Sequence, residues 1–141
     1  MAREYPSRPI VGVGGVVFID ERVVLVKRRY APLAGRWSLP GGVIEVGETL
    51  HDGLCRELRE EIGIDTTVGS LIELSDRLIY DDVGRVRYYF ALTDYLCHRV
   101  SGEVRAGSDA EAVALADLAD LGSHALTDEV LAVISRGASL R

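Results

Sequence analysis

The apolar residues in the first third of the chain are mostly β-branched and form two neighbouring runs. The longer run covers residues 10–19, and a second over residues 23–26 follows the polar triplet 20–22. Two such runs around a short polar turn are typical of a β-hairpin. Glycines at positions 12, 14 and 15 interrupt the first run, and we expect them to let another backbone approach closely. Residues 1–9 are polar and contain two prolines, so we expect an irregular tail there.

A helical pattern follows in residues 49–62. Four apolar residues recur there at every fourth position: Leu50, Leu54, Leu58 and Ile62. This spacing places them in one stripe along a helix. Thr49 is a favourable N-cap, and Gly63 is a favourable residue just beyond the end. Gly53 is costly inside a helix, and a close approach between helix and strand would explain its presence.

The remaining segments predict mainly strands. Residues 66–80 and 85–96 are predicted as strands around a turn at 81–84, because apolar and polar positions alternate in the second segment. The other expectations are a loop into a short strand over 30–40, a break at Gly41 and Gly42, a polar loop over 101–109, a short strand over 112–115 and a helix over 127–135. This order indicates an α+β fold or a mixed α/β sandwich around one sheet, in a single domain over residues 1–141.

Charge and composition narrow the possible functions. The chain has 16 basic and 22 acidic residues, a formal net charge of −6 at pH 7. This excludes the basic surface of a nucleic-acid-binding protein. An anionic substrate would need a recruited positive charge, for which a divalent metal is the obvious candidate. The longest apolar run is too short for a membrane helix, and the first residues do not resemble a secretory signal, so we expect no membrane association and a cytoplasmic location. Cys55 and Cys97 show neither disulfide nor metal spacing and are expected to be buried thiols.

Three acids lie close together on the predicted helix. Glu57, Glu60 and Glu61 fall within an arc of about 100°, and we expect Arg56 and Arg59 to project elsewhere. Two interpretations stay open from the helix alone. One is an acidic surface that faces water, and the other is a site for a hard divalent cation such as Mg²⁺, which also binds substrate phosphates. The glycines before the helix would let a backbone oxygen approach that cation.

The acids belong to a longer pattern over residues 42–64. The segment reads Gly42, five residues, Glu48, seven residues, and then Arg-Glu-Leu-Arg-Glu-Glu-Ile-Gly-Ile. It resembles the Nudix box, G-x5-E-x7-R-E-U-x-E-E-x-G-U with U aliphatic, and every defined position is met. The preceding residues 35–42 are also similar to the usual entry to the box. The resemblance to the Nudix hydrolase family implies an α/β/α sandwich around a mixed sheet.

The same resemblance implies roles for individual residues. Glu57 and Glu61 would be the principal ligands of Mg²⁺ or Mn²⁺, Glu60 an additional ligand, and Gly41 the donor of a backbone carbonyl. Arg56 would orient the glutamates by ion pairing, and Glu48 would support that arginine. For the general base, the family suggests a carboxylate on a downstream loop. Asp109 and Glu111 are favoured, while Glu103 and Glu57 itself stay open.

The implied reaction is hydrolysis of a nucleoside diphosphate linked to another group. ADP-ribose or a related sugar nucleotide is the first candidate. Nucleoside triphosphates, including modified ones and dihydroneopterin triphosphate, come second, and diadenosine polyphosphates third. A pure nucleotide sensor is disfavoured because the box is intact. The candidate substrate-binding residues are Arg28, Arg36 and Tyr80, with Tyr88 and Phe90 expected in the core rather than against a base. The partner is a small nucleotide, and the family often forms homodimers.

Overall fold

The computed structural model describes residues 3–141. Its strands are β1 (Ile10–Ile19), β2 (Arg22–Arg28), β3 (Trp37–Ser38), β4 (Gly41–Val43), β5 (Asp65–Tyr80), β6 (Val86–Ser101) and β7 (Ala110–Asp117). Its α-helices are α1 (Leu50–Ile62) and α2 (Asp128–Ser139), and a 3₁₀ turn covers Gly122–His124. Within the described residues, these elements form a mixed sheet with two helices, which confirms the predicted α+β class.

β1 lies at the centre of the sheet. The strand order is β3-β2-β1-β6-β5, while β4 also pairs with β1 and β7 also pairs with β2. β1 and β6 are parallel, and the other pairs are antiparallel. β1 pairs with β4 through residues 12–14 and with β2 through residues 18 and 19. The predicted hairpin is therefore present, and one strand connects both halves of the sheet.

The two helices pack on opposite faces of β1. Leu54 and Leu58 of α1 lie in a buried cluster with Val13, whereas Val133 of α2 lies in a separate cluster with Val16. Side chains at odd and even positions of a strand point to opposite faces, so these two clusters mark the two sides of the sheet. On this first side, Leu54, Leu58 and Ile62 of the predicted stripe are buried, and Leu50 packs against them while partly exposed.

Both predicted ends of α1 are confirmed. The Thr49 hydroxyl accepts a hydrogen bond from the Asp52 N–H at 3.0 Å, and Gly63 ends the helix in the left-handed region at φ 77°. Gly53 has no room for a side chain because Ile44 and Glu48 lie against it. The close approach at Gly53 is therefore made by the loop before α1, and the expectation of a strand there was wrong.

Other differences from the sequence predictions concern a short strand, the neighbours of two glycines and the lengths of two elements. Residues 41–43 form β4 instead of a break, because they pair with β1. A Cβ on Gly12 or Gly14 would meet the side chain of Leu92 or Asp94 first. The backbone carbonyls of Gly42 and Pro40 also lie near these positions, at 3.6 and 3.8 Å, as the expected backbone approach requires. Strand β7 and helix α2 are both longer than expected.

The described part of the tail, residues 3–9, forms no strand or helix, as predicted, and residues 1 and 2 lie outside the described residues. Both cysteines are free thiols; Cys97 is buried and Cys55 is half-buried. No helix within residues 3–141 has the length and apolar character needed to cross a membrane.

Candidate active site

The Arg56 side chain forms hydrogen bonds with several acidic residues of the candidate site. Its guanidinium donates to both carboxylate oxygens of Glu48, at 3.0 and 2.6 Å, and to the Val43 carbonyl at 3.2 Å. It also donates to Glu57 at 2.9 Å and to Glu60 at 3.2 Å. The expectation that Arg56 projects away from the glutamates was wrong, because its long side chain reaches neighbours that the position of its Cα on the helix does not.

This pairing has an electrostatic consequence for Glu48. The hydrogen bonds from Arg56, followed by one from the Glu45 N–H, lower the pKa of the Glu48 carboxyl to about 2. In turn, the hydrogen bonds that Arg56 donates to Glu48 and then to Glu57 raise the pKa of Arg56, despite partial burial. Both groups are therefore charged at neutral pH.

Glu57 and Glu61 point from α1 toward strand β4. A Cβ on Gly42 would collide with the Glu57 carboxylate, so only glycine leaves space for this contact. The Gly41 N–H donates to the Glu61 carboxylate at 2.8 Å. The pair Gly41–Gly42 thus lets a sheet edge reach two carboxylates of the helix.

Burial makes both carboxylates costly to ionise. Desolvation raises the pKa of Glu61 to about 7, opposed by the hydrogen bond from Gly41 and reinforced by the charges of Glu57 and Asp109. Desolvation also raises the pKa of Glu57, against the hydrogen bond from Arg56. A bound cation would stabilise the ionised form of both carboxylates, because an opposite charge nearby favours it.

Asp109 is brought to the same carboxylates by a loop that packs on the end of α1. The N–H groups of Arg105 and Gly107 donate to the carbonyls of Ile62 and Glu61 at 3.0 and 2.8 Å. A Cβ on Gly107 would collide with the Glu60 backbone carbonyl. The charge of Asp109 acts on both Glu57 and Glu61.

The other candidate acids lie elsewhere. The Glu111 carboxylate is 3.8 Å from the Lys27 amine and about half exposed. The backbone carbonyl of Glu103 lies beside Gly63, at the end of α1. Of the downstream acids predicted as a base, Asp109 is the one whose charge acts on the glutamate pair.

The donor chemistry fits a hard divalent cation, although the carboxylates do not converge on one point. Within residues 3–141, no group of three or more His, Cys, Asp or Glu side chains is arranged to hold a metal ion. Glu60 turns to Arg56, and its side chain is 54% exposed. The Glu57 charge acts on Glu61, and both side chains offer oxygen, the ligand that Mg²⁺ and Mn²⁺ prefer.

A cavity of about 350 Å³ opens beside these glutamates. Its lining includes Gly41 and Gly42 of β4, and the arginines Arg3, Arg28 and Arg77. The charges of Glu61, Arg3 and Arg77 all act on Arg28, so the arginines converge near the carboxylates. This neighbourhood of positive charge and metal-type donors suits a diphosphate.

The predicted substrate-binding residues fall in different places. Arg28 lines the cavity, whereas the Arg36 guanidinium donates to the Ala125 carbonyl at 3.2 Å and does not line it. Tyr80 lines a neighbouring cavity of about 220 Å³, together with Tyr88. Tyr88 and Phe90 are buried with Ile10, as expected, but Phe90 also lines the larger cavity.

Sequence reasoning missed Asp94 and Arg77, which both line the larger cavity. The signal for Asp94 is the alternation of β6, which continues from Phe90 and Leu92 to position 94 on the same face. Arg77 stands directly opposite Phe90 in β5, and only the pairing register places it there.

Comparisons with known proteins match nearly the whole chain. The model of the NUDIX domain matches residues 8–134. A Methanocaldococcus jannaschii protein named ADP-ribose pyrophosphatase is 34% identical over 121 residues, which cover 86% of this chain and 69% of that protein. A Mycobacterium tuberculosis protein named putative 8-oxo-dGTP diphosphatase 2 is 41% identical over 88 residues, which cover 59% of this chain and only 57% of that protein. The crystal structure of a MutT NUDIX hydrolase from Burkholderia pseudomallei has a TM-score of 0.78 and 33% identity, covering 92% of this chain and 98% of that one.

Proposed function

The chain belongs to the Nudix family, and from this premise we propose that it hydrolyses the diphosphate of ADP-ribose or a related sugar nucleotide. The observation that carries the proposal is the cavity lined by Arg28, Arg77 and the glycines Gly41 and Gly42. On β4, Gly41 donates a hydrogen bond to Glu61, and the Glu57 carboxylate lies against Gly42. The similarity to a relative named ADP-ribose pyrophosphatase supports the choice of substrate class.

The proposed cofactor is Mg²⁺ or Mn²⁺, with Glu57 and Glu61 as principal ligands and Glu60 and the Gly41 carbonyl as further ones. When bound, such a cation neutralises charge on the phosphates and lowers the pKa of a bound water. The raised pKa values of Glu57 and Glu61 support this proposal, because buried carboxylates gain most from a cation.

Protein side chains would position the substrate and accept a proton. Arg28 and Arg77 would hold the diphosphate oxygens through their guanidinium N–H groups. Asp109 would accept a proton from the attacking water. The water oxygen forms a bond to one phosphorus as the bond from that phosphorus to the bridging oxygen breaks. ADP-ribose and water would thus give AMP and ribose 5-phosphate, with no covalent intermediate.

One observation favours a second candidate, a nucleoside triphosphate pyrophosphohydrolase. Over the segment that it shares with this chain, the relative named putative 8-oxo-dGTP diphosphatase 2 has a higher identity than the relative named ADP-ribose pyrophosphatase. The substrate panel must therefore contain ADP-ribose, other sugar nucleotides, nucleoside triphosphates, dihydroneopterin triphosphate and diadenosine polyphosphates.

The test is phosphate release by the purified protein with Mg²⁺, with and without a coupling phosphatase. We expect turnover of ADP-ribose and a loss of about a hundredfold or more in Glu57→Gln and in Glu61→Gln. Both glutamines still accept the hydrogen bonds from Arg56 and Gly41, so the fold should persist. Glu21→Gln, at an exposed turn residue, is the matched control.

Two outcomes would contradict the proposal. Near-normal turnover in both Glu57→Gln and Glu61→Gln would show that these glutamates are not catalytic. Turnover of another substrate class that is faster than turnover of sugar nucleotides would show that the proposed substrate class is wrong. Asp109→Asn and Glu111→Gln separate the two candidate bases, and we expect the larger loss of kcat in Asp109→Asn.

The wider setting is also part of the proposal. We propose one catalytic domain over residues 1–141 and a cytoplasmic location, which the two free thiols support. A small nucleotide is the proposed partner. Homodimers are often found in the family, and sedimentation of the purified protein would test whether this chain forms one.

A further inference from the structure

The floor of the larger cavity is one face of three paired strands. Asp94 of β6 stands between Glu73 of β5 and Gly14 of β1, and Leu92 stands between Ser75 and Gly12. The two glycines leave this floor open on the β1 side, because a Cβ on either would strike the side chain of its β6 neighbour.

The lining of this cavity combines an apolar part with charged side chains, among which are the further acids Asp76 and Glu129. Phe90 and Leu92 contribute to the apolar part from β6, Val43 from β4, and Val130 and Val133 from α2. Apolar walls around a few placed polar groups are typical of a pocket for a flat organic ring. A nucleobase is the ring that the proposed substrate would bring.

The Asp94 carboxylate lies on this floor without a hydrogen-bond donor among residues 3–141. No hydrogen bond from residues 3–141 contributes to the pKa of this carboxyl, which desolvation raises to about 6. The neighbouring Glu73 charge raises it further, and only Arg77 acts in the opposite direction. By contrast, the Glu73 carboxylate accepts a hydrogen bond from Arg136 at 3.0 Å.

A half-buried carboxylate without a donor is costly, and a ligand that supplies an N–H group would satisfy it. An ionised carboxylate only accepts hydrogen bonds. It therefore favours a base edge that carries an amino group and repels a carbonyl oxygen at the same place.

We propose that Asp94 determines base specificity by accepting a hydrogen bond from the exocyclic amino group of the base, which in ADP-ribose is the adenine amino group. This inference rests on the proposed function for its choice of adenine. Arg28 and Arg77 hold the diphosphate in the same cavity, and Asp94 selects the ring.

The experiment measures binding of two monophosphates that the proposed reaction does not cleave. These are AMP and purine riboside 5′-monophosphate, which differs from AMP only by hydrogen in place of the amino group. Isothermal titration calorimetry with Mg²⁺ present should show that the wild-type protein binds AMP about tenfold or more tightly.

Three variants identify the source of this preference. Asp94→Ala should bring the ratio of the two Kd values close to one, because the acceptor is gone. The isosteric Asp94→Asn, an uncharged acceptor, should give an intermediate ratio. Glu73→Gln is the matched control, since it removes the adjacent charge and should change both affinities while preserving their ratio.

Failure of the wild-type protein to prefer AMP overturns the assignment, as does a preference that persists in Asp94→Ala. Turnover of ADP-ribose is measured on the same preparations. A preference for AMP without turnover contradicts the proposed reaction and leaves the role of Asp94 standing. Turnover without a preference contradicts Asp94 alone.

Discussion

Arg56 shows how a single side chain organises the acidic cluster. Its guanidinium binds both oxygens of Glu48 and single oxygens of Glu57 and Glu60. These contacts restrict the rotamers of the neighbouring acids, and a fork-shaped guanidinium is suited to such a task. Arg56 is therefore proposed as a positioning residue.

At this scale we expect a defined pH dependence for Glu48→Gln. The pKa of Glu48 is lower in the folded protein than its ordinary value of 4.5, so the ionised carboxyl stabilises the fold at neutral pH. This contribution is lost as the pH falls from 4.5 toward 2. Urea unfolding of both proteins should show the variant less stable at pH 7, with the difference shrinking through that interval.

Glu111→Gln serves as the control for stability, because its ion pair with Lys27 is at the surface and long. A difference between wild type and Glu48→Gln that stays constant down to the lowest pH would show that the Glu48 charge does not stabilise the fold.

At the scale of elements, the loop before β7 packs against the C-terminal end of α1 and carries Asp109. Backbone N–H groups of this loop satisfy the carbonyls of Glu61 and Ile62, which the helix leaves without partners. The same contacts hold the loop that carries Asp109, whose charge acts on Glu57 and Glu61. With Asp109 as the proposed base, one short segment caps α1 and carries a proposed catalytic group.

Gly107→Ala should therefore lower kcat more than it changes KM. The added methyl group would collide with the Glu60 carbonyl, and the loop would have to move. A displacement of about 1 Å in a catalytic group can cost about a hundredfold in rate. Steady-state kinetics with ADP-ribose measures the effect.

Gly122→Ala is the matched control, because nothing lies within 4 Å of a Cβ at that position. If Gly107→Ala kept the wild-type kcat while its melting temperature fell, the loop would contribute to stability alone.

At the scale of the whole molecule, the two faces of the sheet have different tasks. One face buries the apolar stripe of α1 with Val13 and Val17. The other meets α2 over only part of its area, and the remainder forms the floor of the cavity with Asp94. The fold therefore retains a half-buried carboxylate that a purely structural core would exclude.

We expect Asp94→Asn to stabilise the free protein at about pH 8 by about 1–3 kcal/mol. The pKa of Asp94 is raised from 3.8 to about 6 on folding, so its ionised form opposes folding above that range. Below about pH 4 the carboxyl is protonated in both states, and the advantage should vanish. Urea unfolding at several pH values measures it, and equal stability of both proteins at pH 8 would contradict the burial cost.

The box residues and the elements could be predicted because their signals are local. The stripe from Leu50 to Ile62 repeats with the helical period, and Thr49 and Gly63 mark its ends within one turn. The expectation for Gly41 and Gly42 failed because a three-residue strand depends on its partner, β1, which lies about thirty residues away in sequence.

The sequence by itself determined the α+β class, the family and the acids of α1, since periodicity and motif spacing involve neighbours along the chain. Tertiary structure decided that Asp109 and not Glu111 acts on the glutamate pair, that Arg28 and not Arg36 lines the cavity, and that Asp94 lies on its floor. These choices depend on strand register and on how a loop packs against a helix end. Such contacts join residues far apart in sequence, and no short pattern encodes them.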